Sequence, residues 1–160
     1  MKTIALSGGF DPVHIGHIQM IQDACRYGKV IVILNSDNWL EKKKGYSFMS
    51  FEERKYILSE MKSVYEVESV DDSDGTVCEA LDRIRPNYFG NGGDRVSDNV
   101  PEVKLCEKLG ICLKWNIGGN KIQSSSDLVI HAREYDHRDI DLKHHRDPDH
   151  PFNLDIGGDG

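Results

Sequence analysis

Apolar and polar positions along this chain switch period several times, and the switches mark out its elements. Lys2 to Leu6 (KTIAL) reads as a buried strand, and Ile15 to Tyr27 then carries apolar residues at helical spacing. Lys29 to Leu34 (KVIVIL) is a β-branched run suited to a strand covered on both faces, and it ends at the turn residues Asn35-Ser36-Asp37. A helix of about a dozen residues between two such strands is the interval of a crossover to a parallel neighbour. Trp39 to Met49 carries Lys42, Lys43 and Lys44 before Gly45 and reads as a solvated loop. Ser50-Phe51-Glu52-Glu53 has the form of a capping box. It predicts a helix from Phe51 to Ser63, with Tyr56, Ile57 and Met61 toward the core and Arg54 and Lys55 turned elsewhere.

Tyr65 to Val70 alternates like a short strand. Thr76 to Arg85 sets Val77, Ala80, Leu81 and Ile84 on one helical face and is stopped by Pro86. Asn87 to Gly90 is a fourth strand, Pro101 to Leu109 a helix closed by Gly110, and Ile111 to Ile117 a fifth strand. A last helix starts near Ser125. Strands alternating with helices in this way predict an α/β fold: a Rossmann-like parallel sheet of five strands, helices on both faces, right-handed crossovers. With strand order 3-2-1-4-5, the order reverses between the first and fourth strands, where such sheets bind ligands.

Composition adds boundaries. A chain of 160 residues with 38% hydrophobic content supports one domain with a real core. Past Ala132 the character changes: Tyr135 to Gly160 is rich in Asp and His, with five of the seven histidines at or after His131. The expected division is therefore a folded domain over 1–132 and an Asp/His-rich C-terminal extension over 133–160. His144, His145 and His150 lack zinc spacing, and Asp71, Asp72 and Asp74 lack the ligand spacing of a calcium loop, so neither group is expected to hold a metal. A net charge of -7 argues against a general nucleic-acid binder and requires anionic substrates to be met by local charge such as Lys42 to Lys44. With no membrane-length apolar run and no signal-peptide pattern at the N-terminus, the expected location is the cytoplasm. Cys25, Cys78, Cys106 and Cys112 show no C-x-x-C spacing and read as buried free thiols.

The chemistry concentrates in Ser7 to His17, SGGFDPVHIGH. This strand-to-helix turn leaves backbone N–H groups at a helix N-terminus, a natural seat for phosphate. Gly8 and Gly9 allow close approach of a ligand, Asp11-Pro12 favours a turn, and His14 and His17 share one helical face from which both can donate to a phosphoryl oxygen. G-x-G-x-x-G and G-K-[ST] patterns are absent, which disfavours a dinucleotide dehydrogenase or a P-loop kinase. Gly90-Asn91-Gly92-Gly93-Asp94-Arg95 reads as a second backbone-lined wall, for a base or ribose. Ser124, Ser125 and Ser126, near Lys121, serve as helix cap and as a second phosphate seat.

GGFDPVHIGH resembles the H-x-G-H signature of the nucleotidyltransferase superfamily. From Thr3 to about Val129 the order of motifs (HIGH, NSD, the lysines before Gly45, SFEER, GGD, SSS) is similar to that of its cytidylyltransferase family. Within the family, the order is most like that of the ADP-heptose synthase nucleotidyltransferase domain and of glycerol-3-phosphate cytidylyltransferase. The resemblance implies transfer of a nucleoside monophosphate from CTP or ATP to a phosphorylated sugar or polyol, with release of pyrophosphate. It also implies Mg²⁺ bound with the triphosphate, and a homodimer. By the same resemblance His14 and His17 contact the triphosphate and its transition state, Lys44 binds phosphate, and Asp11 orients the acceptor or the cation. Gly8, Gly9, Phe10, Gly92, Gly93 and Asp94 hold the nucleotide, and Ser124 to Ser126 contact its outer phosphates. One departure stands out: glycerol-3-phosphate enzymes carry an arginine before the serine/threonine run, where this chain has Gly118-Gly119-Asn120-Lys121. Two alternatives stand beside this reading, an adenylyltransferase for another phosphorylated acceptor such as a mononucleotide, and a nucleotide sensor or assembly domain without turnover.

Overall fold

The computed structural model describes residues 1–93, 100–120 and 122–136, with backbone alone at 135 and 136. Five parallel strands form one sheet in the order β3-β2-β1-β4-β5. They are β1 (Thr3–Gly8), β2 (Lys29–Leu34), β3 (Val64–Ser69), β4 (Tyr88–Gly92) and β5 (Cys112–Ile117). The helices are α1 (Ile15–Ala24), α2 (Asp37–Lys44), α3 (Phe51–Ser59), α4 (Cys78–Ile84), α5 (Val100–Leu109) and α6 (Ser125–Asp136). This is the Rossmann-like α/β architecture expected, with the reversal between β1 and β4.

Strand alternation builds a core on each face. Ile4, Leu6, Val30, Val32 and Leu34 pack with Ile21 and Ala24 of α1 and Leu58 of α3 on one side. Ala5, Ile33 and Phe89 pack with Ala80 and Leu81 of α4 and Cys106 of α5 on the other. Pairing of β1 with β2 continues to Gly8 opposite Leu34, so the first strand runs two residues past Leu6 and delivers its glycines to the sheet's carboxyl end.

Several elements differ from the sequence pattern. Residues 37–44 are a helix, not a loop: the Ser36 hydroxyl accepts from Trp39 N–H, and Gly45 closes α2 at φ +83°. Its three lysines occupy the last turn, where the helix dipole favours positive charge. Helix α3 ends at Ser59 and buries Arg54 and Leu58, while Tyr56 and Ile57 are 71% and 39% exposed. Arg54 wins the inward position because its hydrogen-bond partners lie in other segments beneath the helix. All four cysteines are free thiols as expected, but of them only Cys106 is fully buried. Cys25 sits at the C-cap of α1 and Cys112 on the edge strand β5, both exposed. Asp72 of the acidic turn is buried, its carboxylate accepting from Asn35 Nδ2, Ser36 N–H and the Ser36 hydroxyl, so it fastens the β2–α2 corner. Helix α6 runs through 136, past the expected boundary at 132, and the remainder of the expected extension, 137–160, lies outside the described residues. No helix among the described residues is long and apolar enough to cross a membrane.

Candidate nucleotide-binding cleft

A cleft of about 380 Å³ opens at the carboxyl ends of β1 and β4. Its floor is Ser7 to Phe10, and the first turn of α1 forms one wall. His14 is the N-cap of α1: its backbone is extended, and its Nδ1 accepts from Gly16 N–H at 3.1 Å. His17 reaches back so that its Nδ1 accepts from His14 N–H at 3.2 Å. The two histidines thus make the reciprocal cap usually built by Ser and Glu, and their rings stack with centroids 3.8 Å apart. A ring whose Nδ1 accepts a hydrogen bond carries its neutral-state proton on Nε2, so both imidazoles are Nε2–H donors. A Cβ at Gly16 would meet the His14 ring at 2.9 Å, so glycine leaves the ring room in its capping position. Phe10, buried at φ +50°, backs the His17 ring at 4.6 Å between centroids.

Asp11 takes a different place from the one expected. It is fully buried behind the cleft, and its two carboxylate oxygens accept from Phe48 N–H and Met49 N–H, each at 2.6 Å. The carboxylate thus anchors the 48–49 backbone and is not among the cleft-lining residues. Helix α2 forms a second wall with Trp39, Lys43 and Lys44. Trp39 Nε1 donates to Gly75 O at 3.4 Å, and Lys43 Nζ lies 4.6 Å from the centre of the Trp39 ring. The Asp37 carboxyl at the start of α2 feels burial, which pushes its pKa up. The Arg54 guanidinium, Phe51 N–H and Ser47 hydroxyl outweigh that and hold it below the ordinary carboxylate value.

The third wall is the end of β4. Gly92 and Gly93 line the cleft, with buried Asn91 beside them. A Cβ on Gly93 would come within 2.4 Å of the Gly119 carbonyl oxygen, so this turn packs backbone against backbone. Asp94, the remaining predicted nucleotide residue, lies outside the described residues, as do Arg95 and Lys121. Ser124, Ser125 and Ser126 close the circle. The Ser124 hydroxyl accepts from Asp127 N–H as the cap of α6, and the Ser125 hydroxyl donates to Pro12 O at 2.8 Å. That bond brings the N-termini of α1 and α6 to one cleft, two positive dipole ends together.

The structure therefore gathers Gly8, Gly9, Phe10, His14, His17, Lys44, Gly92, Gly93 and Ser124 to Ser126 around one space and leaves Asp11 behind it. Asn91 falls in the second wall read from Gly90 to Arg95, while Trp39 is a lining residue that the motif reading passed over. Trp39 was within reach of it: a serine cap at Ser36 and a glycine stop at Gly45 bracket a helix that puts Trp39 and Lys43 on one face.

A family model described as cytidylyltransferase-like matches residues 5–141. The chain is 34% identical over 113 residues to the bifunctional protein HldE of Syntrophotalea carbinolica, covering 68% of this chain and 23% of that protein. It is 35% identical over 117 residues to HldE of Wolinella succinogenes, covering 68% and 24%. The chain thus spans about a quarter of the length of the curated relatives it matches. Among solved structures, a lipopolysaccharide core biosynthesis protein from Thermoplasma volcanium superposes with a TM-score of 0.62 at 22% identity, over 72% of this chain and 93% of that one. A bifunctional NMN adenylyltransferase/ADP ribose pyrophosphatase from Francisella tularensis gives 0.55 at 15% identity, over 86% and 43%. These two likenesses show the shared fold.

Proposed function

From the membership of this chain in the cytidylyltransferase-like family, we propose that it transfers a nucleoside monophosphate from CTP or ATP to a phosphorylated sugar or polyol and releases pyrophosphate. The observation that carries this reading is the stacked pair His14 and His17, each with Nδ1 held by a backbone N–H and hence each a fixed Nε2–H donor in the cleft. Two Nε2–H donors side by side suit a phosphoryl group whose charge is spread over its equatorial oxygens as it is transferred.

In the proposed reaction an acceptor phosphate oxygen attacks the α-phosphorus in line, the bond to the bridging oxygen breaks, and pyrophosphate departs with that electron pair. Catalysis of such a step is positioning and charge neutralisation. His14 and His17 donate to the transferring group. The N-terminus of α6 and Ser124 to Ser126 receive the outer phosphates. Gly92 and Gly93, with Asp94, hold the nucleoside, and Lys43 and Lys44 meet the acceptor's phosphate. Asp11 serves from behind by fixing the 48–49 backbone. Mg²⁺ arriving with the triphosphate would neutralise charge on the leaving pyrophosphate. The described lining residues offer it hydroxyl and carbonyl oxygens, those of Ser124 to Ser126 among them, and no carboxylate, a set that suits a cation carried chiefly by phosphates and water.

The test is pyrophosphate release with CTP, ATP, GTP and UTP, each against a panel of phosphorylated sugars and polyols. Turnover with one sugar or polyol phosphate is the expected result. Turnover only with a mononucleotide acceptor would replace the acceptor class, and nucleotide binding without release under every condition would replace the enzyme reading by that of a sensor.

A further inference from the structure

We propose that Arg54 is a positioning residue that fixes the phosphate corner and the α2 wall of the cleft relative to each other; the inference rests on the transferase reading above. Arg54 does not line the cleft, yet its side chain is wholly buried. Its guanidinium donates from Nη1 to Gly9 O and Asn35 O, both at 2.8 Å, from Nε to Met49 O at 3.0 Å and from Nη2 to Asp37 Oδ1 at 2.6 Å. Those four acceptors belong to the residue after β1, the residue after β2, the turn before α3 and the first residue of α2. A rigid planar fork of donors sets the distances among them, which a point charge on a flexible stem does not.

Apolar packing gives no reason for this residue; its hydrogen bonds do. Desolvating a guanidinium is costly, and what offsets that cost here is four acceptors from separate segments, three backbone carbonyls and the Asp37 carboxylate, that an apolar side chain would leave without a donor. One of those bonds sets the direction of the Gly9 carbonyl. The Gly9–Phe10 peptide is trans, so a carbonyl turned toward Arg54 sends the Phe10 N–H the opposite way, and both residues form the cleft floor. Through Asp37 the same guanidinium holds the first residue of α2, the helix that presents Trp39, Lys43 and Lys44. None of these four acceptors lies in β4, the strand that carries Gly92 of the nucleoside wall.

The experiment is steady-state kinetics of Arg54→Lys against wild type, using the best substrate pair from the pyrophosphate panel, with melting temperature and gel filtration alongside. The expected result is a fall in kcat of up to about 100-fold, the scale of a small misplacement of reacting groups. KM for the acceptor phosphate should rise severalfold while KM for the nucleotide stays near wild type. A uniform loss of active fraction, with kcat lowered and both KM values unchanged, would overturn the inference, as would wild-type kinetics. If Arg54→Lys does not fold, Asp37→Asn keeps the guanidinium and weakens only its grip on α2. It should raise the acceptor KM alone, and a second unfolded variant would assign the network to folding and overturn the proposal. A wild type that turns over no pair removes the transferase reading and this inference with it, an outcome visible before any variant is made.

Discussion

At the scale of the residue, His14 and His17 have two ring nitrogens for two tasks in the proposed reaction: Nδ1 closes the N-terminus of α1, and Nε2 would donate to the transferring group. The division makes the two tasks separable by substitution. His17→Ala removes both, so it should lower stability by about 1 kcal/mol for the lost cap, a fall of about 2–4 °C in melting temperature for a domain of this size. It should also reduce turnover by about 10²–10³-fold, the loss typical of one donor to a transition-state oxyanion. His17→Asn can return a carbonyl oxygen to the His14 N–H and should melt near wild type while losing turnover to the same extent. Thermal denaturation and pyrophosphate release on the two variants check this. Wild-type turnover in His17→Asn would deny the Nε2–H its role. That both rings of HIGH meet at one cleft was legible because the spacing sets them on one helical face. That the rings also cap the helix depends on the Nδ1 contacts, which spacing leaves open.

At the scale of the element, α2 and α3 show what a local pattern can and cannot reveal. Helix α2 (DNWLEKKK) has a single buried side chain, Leu40, so apolar periodicity was silent, although its serine cap and glycine stop were in the sequence. Helix α3 was placed correctly at its capped start, with the Ser50 hydroxyl accepting from Glu53 N–H. Its buried face was misread because burial of Arg54 is decided by carbonyls of Gly9, Asn35 and Met49, none of them in the helix. The junction of the two helices carries a pH prediction through Asp37. Its carboxyl lies below the ordinary 3.8 in the folded chain, since Arg54, Phe51 N–H and Ser47 outweigh burial. The native state therefore holds its proton less tightly than the unfolded chain. The stabilisation is complete above the ordinary value and is lost as pH falls through the lowered one. Urea denaturation from pH 5 to pH 2 should show a steeper acid loss for wild type than for Asp37→Asn. Parallel curves would mean that Arg54 gains nothing from the charge.

At the scale of the whole molecule, the parallel sheet was legible from strand runs separated by helices, and the order 3-2-1-4-5, taken as one of the few arrangements that right-handed crossovers leave, is the one found. The thiols were less legible, because a cysteine in an apolar segment is buried only if that segment's face meets a neighbour. Cys106 of α5 meets the core beneath it, whereas Cys25 and Cys112 stand at a helix end and on an edge strand. Burial, with smaller contributions from Cys78 and Glu102, pushes the Cys106 thiol up to about 11, so near neutral pH it is protonated as well as enclosed. Cys25 and Cys112 should thus react at once with a thiol reagent, and Cys106 only when the α4–α5 core opens. Cys106 is not a cleft residue, so a nucleotide bound there can slow its labelling only by stabilising the native state as a whole. A ligand at 100 times its Kd adds about 2.7 kcal/mol, which predicts labelling of Cys106 about 100-fold slower if its exposure requires global unfolding. Mass spectrometry of timed labelling, with and without the preferred nucleotide, reads both quantities. Unchanged labelling alongside a nucleotide-raised melting temperature would mean that α5 opens separately from the cleft, and the two faces of the sheet would then not form one cooperative unit.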